Sequence, residues 1–179
     1  MKSPSRGLFV ACCAICAALM SIDALAQSEE GNAYAELGFT QLHLSSGGIS
    51  LTPSDAVIRV GYNFTKNFSA EIIGATSVSS DTLMGASFKV DTAYGAYFKG
   101  QVEVASHFEV FAKAGWVHAT LTGSAPGISL SSSDSSFSYA AGAQYRFKKN
   151  WYLQGDYASY YDKSGDTITG PSISIGYRF

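Results

Sequence analysis

Strict alternation, with a period of two residues, runs through this chain in segment after segment. From Val57 to Phe64, Ile58, Val60, Tyr62 and Phe64 alternate with Val57, Arg59, Gly61 and Asn63. In an extended strand this puts one set on a greasy face and an ion, two small or polar groups and one valine on the other. The pattern returns from Phe137 to Phe147, where Phe137, Tyr139, Ala141, Ala143, Tyr145 and Phe147 oppose Ser138, Ala140, Gly142, Gln144 and Arg146. It closes the chain, with Pro171, Ile173, Ile175, Tyr177 and Phe179 set against Ser172, Ser174, Gly176 and Arg178. After Gln27 no stretch approaches the roughly 20 apolar residues of a membrane helix, so a membrane could be crossed here only by strands.

Carried along the chain, the alternation predicts eight strands, at 33–43, 56–64, 68–78, 88–99, 108–121, 137–147, 151–161 and 171–179. Their connections alternate in length. Residues 44–55, 79–87, 122–136 and 162–170 read as long loops rich in Ser, Gly and Asp, and Ser129 to Ser138 as a mobile external loop. Thr65-Lys66-Asn67 and Lys148-Lys149-Asn150 read as tight turns, with Gln101 to His107 a longer exception. Short turns on one side and long loops on the other belong to outer-membrane barrels. Aromatic residues gather at the short-turn ends: Tyr62, Phe64 and Phe68, then Phe98 and Phe108, then Tyr145, Phe147 and Trp151, then Tyr177 and Phe179. Such girdles suit strands leaving hydrocarbon. A soluble lipocalin-like barrel would turn its apolar face inward and has no use for them. The predicted fold class is all-β: an eight-stranded antiparallel up-and-down transmembrane barrel. Charged residues make up only 15% of the chain, against about 25% in a typical soluble domain, which agrees with a wall facing lipid. The net charge of -2 gives no basic footprint for nucleic acid.

Residues 1–26 are set apart from this pattern. Lys2 and Arg6 precede an apolar stretch from Leu8 to Met20 and a small-residue end at Ala24-Leu25-Ala26, the layout of a secretory signal peptide. Cleavage before Gln27 would leave residues 27–179 as the barrel domain, at a charge of +10 - 13 = -3, and would remove Cys12, Cys13 and Cys16. No disulfide or thiol metal site is then expected in the mature chain.

Several short motifs carry a family resemblance. Gly61-Tyr62-Asn63-Phe64 with Asn67-Phe68 and Glu71, Lys113-Ala114-Gly115, Gly142 to Phe147, and the terminal Gly176-Tyr177-Arg178-Phe179 occur in order along the mature chain. In these the chain resembles the small outer-membrane β-barrel proteins of the OmpX/Ail group and the membrane domain of OmpA. The resemblance implies a Gram-negative bacterial outer membrane, both termini periplasmic, and contact with outer-membrane lipids and lipopolysaccharide. It also implies that Tyr177 and Phe179 form the C-terminal signal read by the outer-membrane assembly machinery, and that external loops meet an extracellular ligand. Gln154 and Asp156 stand where the family often has Arg and Glu, so the usual interior ion pairing does not transfer unchanged. No peptidoglycan-binding domain follows Phe179, so a cell-wall anchoring role is not expected.

If the aromatic face looks to lipid, the opposite face lines the barrel interior. It carries Glu36, Arg59, Glu71, Lys99, Lys113, Arg146, Asp156 and Arg178, one ion on each strand. Ions removed from water must pair or stay hydrated. The expectation is an interior network that fixes the barrel, with a narrow solute channel as the alternative, because eight strands leave little lumen. Glycines 38, 61, 95, 115, 142 and 176 share this face and would make room for the long Lys and Arg side chains. A lipid A-modifying enzyme is a remote alternative. It would have to use His118 and Thr120 on the outer wall, and no acid of the same parity adjoins them. His43 and His107 fall at opposite strand ends, so no metal site is expected. Asp162-Lys163-Ser164-Gly165-Asp166 lacks the further acids of a calcium loop. The expectation is therefore a non-enzymatic structural and surface protein, supporting envelope integrity, adhesion or host contact through its external loops, without catalytic residues or cofactor.

Overall fold

The computed structural model describes residues 31–46, 49–79, 81–83, 86–125, 128–163 and 166–179. Residues 1–26, read from the sequence as a signal peptide, and their three cysteines lie outside the described residues, as do Ser164 and Gly165. The described chain forms eleven β segments: β1 (Asn32–Gln41), β2 (His43–Ser46), β3 (Ile49–Leu51), β4 (Ser54–Asn63), β5 (Phe68–Ser79), β6 (Asp81–Leu83), β7 (Ala86–Ala105), β8 (Phe108–Ala125), β9 (Ile128–Arg146), β10 (Trp151–Lys163) and β11 (Asp166–Arg178). Eight of them are the staves of a closed antiparallel barrel, in the order β1-β4-β5-β7-β8-β9-β10-β11. The last returns to the first through Tyr34↔Arg178 to Thr40↔Ser172. Closure matters because an open sheet edge in hydrocarbon would leave backbone N–H and C=O groups without partners. The short β2, β3 and β6 extend the wall at the end away from the termini, where β2 pairs with β11 and β6 with β7.

Burial is inverted relative to a soluble protein. Leu37, Ile72 and Trp116 are 61%, 63% and 64% exposed, whereas Arg59 and Lys99 are 1% exposed. In β8 the outward row is Val110, Ala112, Ala114 and Trp116, while Phe111 and Lys113 are buried within. This sidedness fits a lipid-facing wall and rules out the lipocalin arrangement. Rings meet along the outside near the ends of the staves: Phe68 stacks on Phe98 at 5.6 Å, and Trp151 and Phe179 both pack edge-on against Tyr177, at 5.1 and 5.2 Å.

The long connections expected from the sequence are mostly ladder. Segment 122–136 is not a loop: β8 and β9 stay paired from Phe108↔Tyr145 out to Ala125↔Ile128. The serine-rich run therefore stands as strand rather than as a mobile loop. From Ile128 to Ala141 it contains no Gly or Pro to break the ladder. Its hydroxyls bond across the strands, Thr120 with Ser133 at 3.0 Å and His118 Nδ1 with Ser135 at 2.8 Å. Likewise β10 and β11 take up most of 162–170, β2 and β3 occupy much of 44–55, and β6 with the start of β7 falls in 79–87. Gln101 to His107 is not a long connection either. β7 and β8 pair through Ala105↔Phe108, leaving Ser106 and His107 as the turn. His107 has φ 70°, a left-handed conformation that His tolerates better than bulkier or branched residues.

Candidate functional site

The lumen holds the chain's chemistry, in layers from one end to the other. At mid-height, β4 carries Arg59 into a ring of carboxylates supplied by β1, β5 and β10. Its guanidinium lies 3.3 Å from Glu36, 3.6 Å from Asp156 and 3.9 Å from Glu71, and it donates to Ser172 Oγ at 3.0 Å. Lys113 donates to Glu71 at 3.0 Å and stands 3.9 Å from Asp156. Glu36 also accepts from Tyr152 (2.9 Å), Gln154 (3.1 Å) and Ser174 (3.1 Å), while Tyr34 donates to Glu71 at 3.1 Å. Lys99 takes a different solution. Its ammonium donates to Gln144 and Gln154 and sits 4.3 Å above the Phe111 ring. That combines two neutral acceptors with a cation–π contact in place of a carboxylate.

Nearer the termini, Glu109 binds Arg146 at 2.6 Å and Arg178 at 2.7 and 3.1 Å, and accepts a short hydrogen bond from Gln144. Arg178 also lies over the Tyr152 ring. A polar vestibule of about 670 Å³ opens beyond, lined by Asn63, Asn67, Gln101, Glu109 and Arg178 among others.

At the opposite end the lumen turns apolar. Val57, Ile73, Tyr97 and Val117 cluster there with Ala75, Ala93 and Tyr160 packed against them. Above them lies a chamber of about 320 Å³ whose lining includes Val57, Ile73, Val117, Tyr160 and Asp55.

All eight ions expected from the alternation lie on the inward face. They form one network in layers: Glu36, Arg59, Glu71, Lys113 and Asp156 share the central layer, and Gln154, Lys99 and Gln144 link it to Glu109, Arg146 and Arg178 in the terminal layer. Sequence reasoning missed Glu109, although it shares the parity of Phe111 and Lys113. It also missed Asp55, which had been placed in a loop. The inward tyrosines Tyr34, Tyr97 and Tyr152 were missed because aromatics had been assigned to lipid.

Two of the inward glycines make room for these rings, and others admit backbone across the ladder, rather than making room for the cations. A Cβ on Gly61 would overlap the Tyr34 ring, and one on Gly176 the Tyr152 ring. At Gly115 it would strike the Ala96 carbonyl across the β7–β8 ladder.

On the outer wall, His118 and Thr120 bond to Ser135 and Ser133 rather than to each other. The His118 ring lies 5.1 Å from that of Tyr94, and among the described residues no carboxylate bonds to its other nitrogen. No group of three or more His, Cys, Asp or Glu residues suited to a metal occurs among the described residues.

Comparison with known proteins places this architecture. Residues 12–179 match the family described as outer membrane protein beta-barrel domain. No curated protein sequence matches the chain. Among solved structures, Ail of Yersinia pestis, the attachment invasion locus protein, in complex with the heparin analogue sucrose octasulfate, aligns with a TM-score of 0.66 at 19% identity, over 84% of this chain and 99% of that one. Neisserial surface protein A aligns at 0.61 and 15%, over 82% and 95%. The N-terminal β-barrel domain of Pseudomonas aeruginosa OprF aligns at 0.60 and 11%, over 84% and 100%. At such identities the likeness is one of fold, and the family match, which covers nearly the whole chain, sets the location as the bacterial outer membrane. The chain belongs to the outer membrane protein β-barrel family.

Proposed function

We propose that this protein is a non-enzymatic surface protein whose barrel is a rigid base and whose distal ridge meets extracellular partners. The observation that carries the reading is the β8–β9 ribbon. It continues past the Trp116–Phe137 aromatic pair as an unbroken ladder with outward hydroxyls and His118. A paired ribbon holds its side chains in fixed positions, so the ordering cost of contact is lower than for a flexible loop. The same hydroxyls would lie level with the sugars and headgroups of lipopolysaccharide.

The Ail complex contains a polyanion, but a polyanion suits this chain poorly. Its distal segments hold, besides the buried Asp55, Asp81, Asp91, Asp134, Asp162 and Asp166 against Lys89 and Lys163. A neutral or basic surface is the better match. Cells displaying the protein should adhere to immobilised matrix or host protein more than cells lacking it. Free heparin should leave that adhesion intact, and replacing Ser131, Ser133 and Ser135 together by Glu should reduce it. Equal adhesion with and without the protein would overturn the reading.

The narrow channel remains the second reading because a vestibule and a chamber flank the central layer. Between them stand ions bonded to one another and shielded from water, which favours a closed lumen. Purified protein in a planar bilayer should be silent; stable discrete openings would favour the channel.

Assembly is part of the same proposal. Tyr177 and Phe179 act as the C-terminal signal for the assembly machinery. In support, both are partly exposed on the outer wall with their rings in contact, and the Phe179 N–H bonds to Ala33 O across the closing seam.

A further inference from the structure

Among the described residues, the distal chamber contains a buried carboxylate with no cation bonded to it. Asp55 is 2% exposed, and its one side-chain partner among those residues is Ser77, which donates to Oδ1 at 2.9 Å. The other buried carboxylates in the described lumen are treated differently. Glu36, Glu71 and Asp156 each have Arg59 within 4 Å, and Glu109 has two arginines. No lysine or arginine lines the chamber among the described residues, while Asp134 and Asp166 do.

The walls around Asp55 include the hydrocarbon and aromatic side chains of Leu42, Val57, Ile73, Val117, Tyr160 and Ile168, with hydroxyls such as Thr40 and Ser136 among them. At about 320 Å³ the volume lies at the lower end of small-molecule sites. A buried carboxylate in apolar surroundings favours a positive charge brought to it over a neutral or negative group.

We propose that the chamber binds a small organic cation, an amine with a compact apolar body. Its ammonium donates to Asp55, and its body packs among Val57, Ile73 and Val117. The paired ions around Arg59 lie below, so the chamber is a binding site with one entrance rather than a stage on a path through the wall. The site is independent of the surface contacts proposed above: it lies inside the barrel mouth, whereas those face outward.

The test uses the folded protein in nanodiscs of zwitterionic lipid, with three probes of one shape: cyclohexylammonium, cyclohexanol and cyclohexanecarboxylate. Methyl NMR shifts at Val57, Ile73 and Val117 report the chamber; Ile72 and Ile175 on the outer wall report partition into lipid. Cyclohexylammonium should shift the chamber methyls and bind at least tenfold more tightly than the other two. Asp55→Asn should abolish that preference while leaving the weak binding of cyclohexanol unchanged. Val117→Phe, which narrows the chamber where the apolar body packs, should weaken chamber binding of all three probes. Heat-modifiable gel migration verifies that each variant is folded, and if Asp55→Asn fails to fold, Val117→Phe decides. Shifts confined to Ile72 and Ile175, equal affinity for the three probes, or cyclohexylammonium binding unchanged in either folded variant would each overturn the proposal.

Discussion

Replacing Arg59 by Met keeps most of the side chain's length and removes the charge at the centre of the lumen. Three carboxylates then lose a neighbour, but unequally. Glu71 and Asp156 retain Lys113 at 3.0 and 3.9 Å, whereas the one cation bonded to Glu36 among the described residues is Arg59. Breaking a buried pair by removing one partner costs about 3 to 5 kcal/mol, because the other charge remains buried. Glu36 keeps the hydroxyls of Tyr152 and Ser174 and the amide of Gln154, so about 3 kcal/mol is the expected loss. The assay is urea unfolding in lipid vesicles, followed by the fluorescence of the outward-facing Trp116 and Trp151 and by heat-modifiable migration. Glu36→Gln in the Arg59→Met background should restore at least half of the loss. A deficit below about 1 kcal/mol would show that water reaches the layer and that burial is not what makes the pairing matter.

Ala114→Arg should destabilise the folded barrel by about 2 to 4 kcal/mol if residue 114 lies near the bilayer midplane, and a lipid-phase reagent should label a cysteine at 114 but not one at 113. Gly61→Ala should cost about 1 to 3 kcal/mol by displacing the Tyr34 ring, and shortening that ring with Tyr34→Leu should relieve part of the loss in the double variant; additive losses in urea unfolding would refute the contact. Deleting Phe179 should lower the heat-modifiable outer-membrane form in cells and raise periplasmic fragments, with much less effect on folding in detergent; normal outer-membrane levels would remove the signalling role.

Alternation made the wall legible before any coordinates, because a barrel stave has only two faces and lipid accepts only one kind of side chain. It could not show where a stave stops. Ser129 to Ser136 reads as loop on composition, yet its backbone has a partner in β8 and its hydroxyls bond across the ladder, so pairing overrides propensity. Tyr34, Tyr97 and Tyr152 were hidden for another reason. An aromatic suits either the girdle or the lumen, and only the glycines opposite some of them mark the inward choice. Glu109 was within reach by parity alone; Asp55 was not, since its strand begins before the alternation becomes visible.

The central layer joins residues far apart in the chain. Glu36 meets Gln154, 118 positions away, and Ser174, 138 away, while Arg59 meets Ser172 across 113. Hairpins along the wall can zip locally, but these contacts exist only once β11 reaches β1, after the entropy of bringing the two ends together has been spent. Until that seam closes, the ions remain hydrated in an open trough, and its closing expels their water together. The same order applies in reverse: a break at the β1–β11 seam wets Glu36 and Arg59 at once, so loss of the first wall contact and loss of the central layer form a single cooperative step.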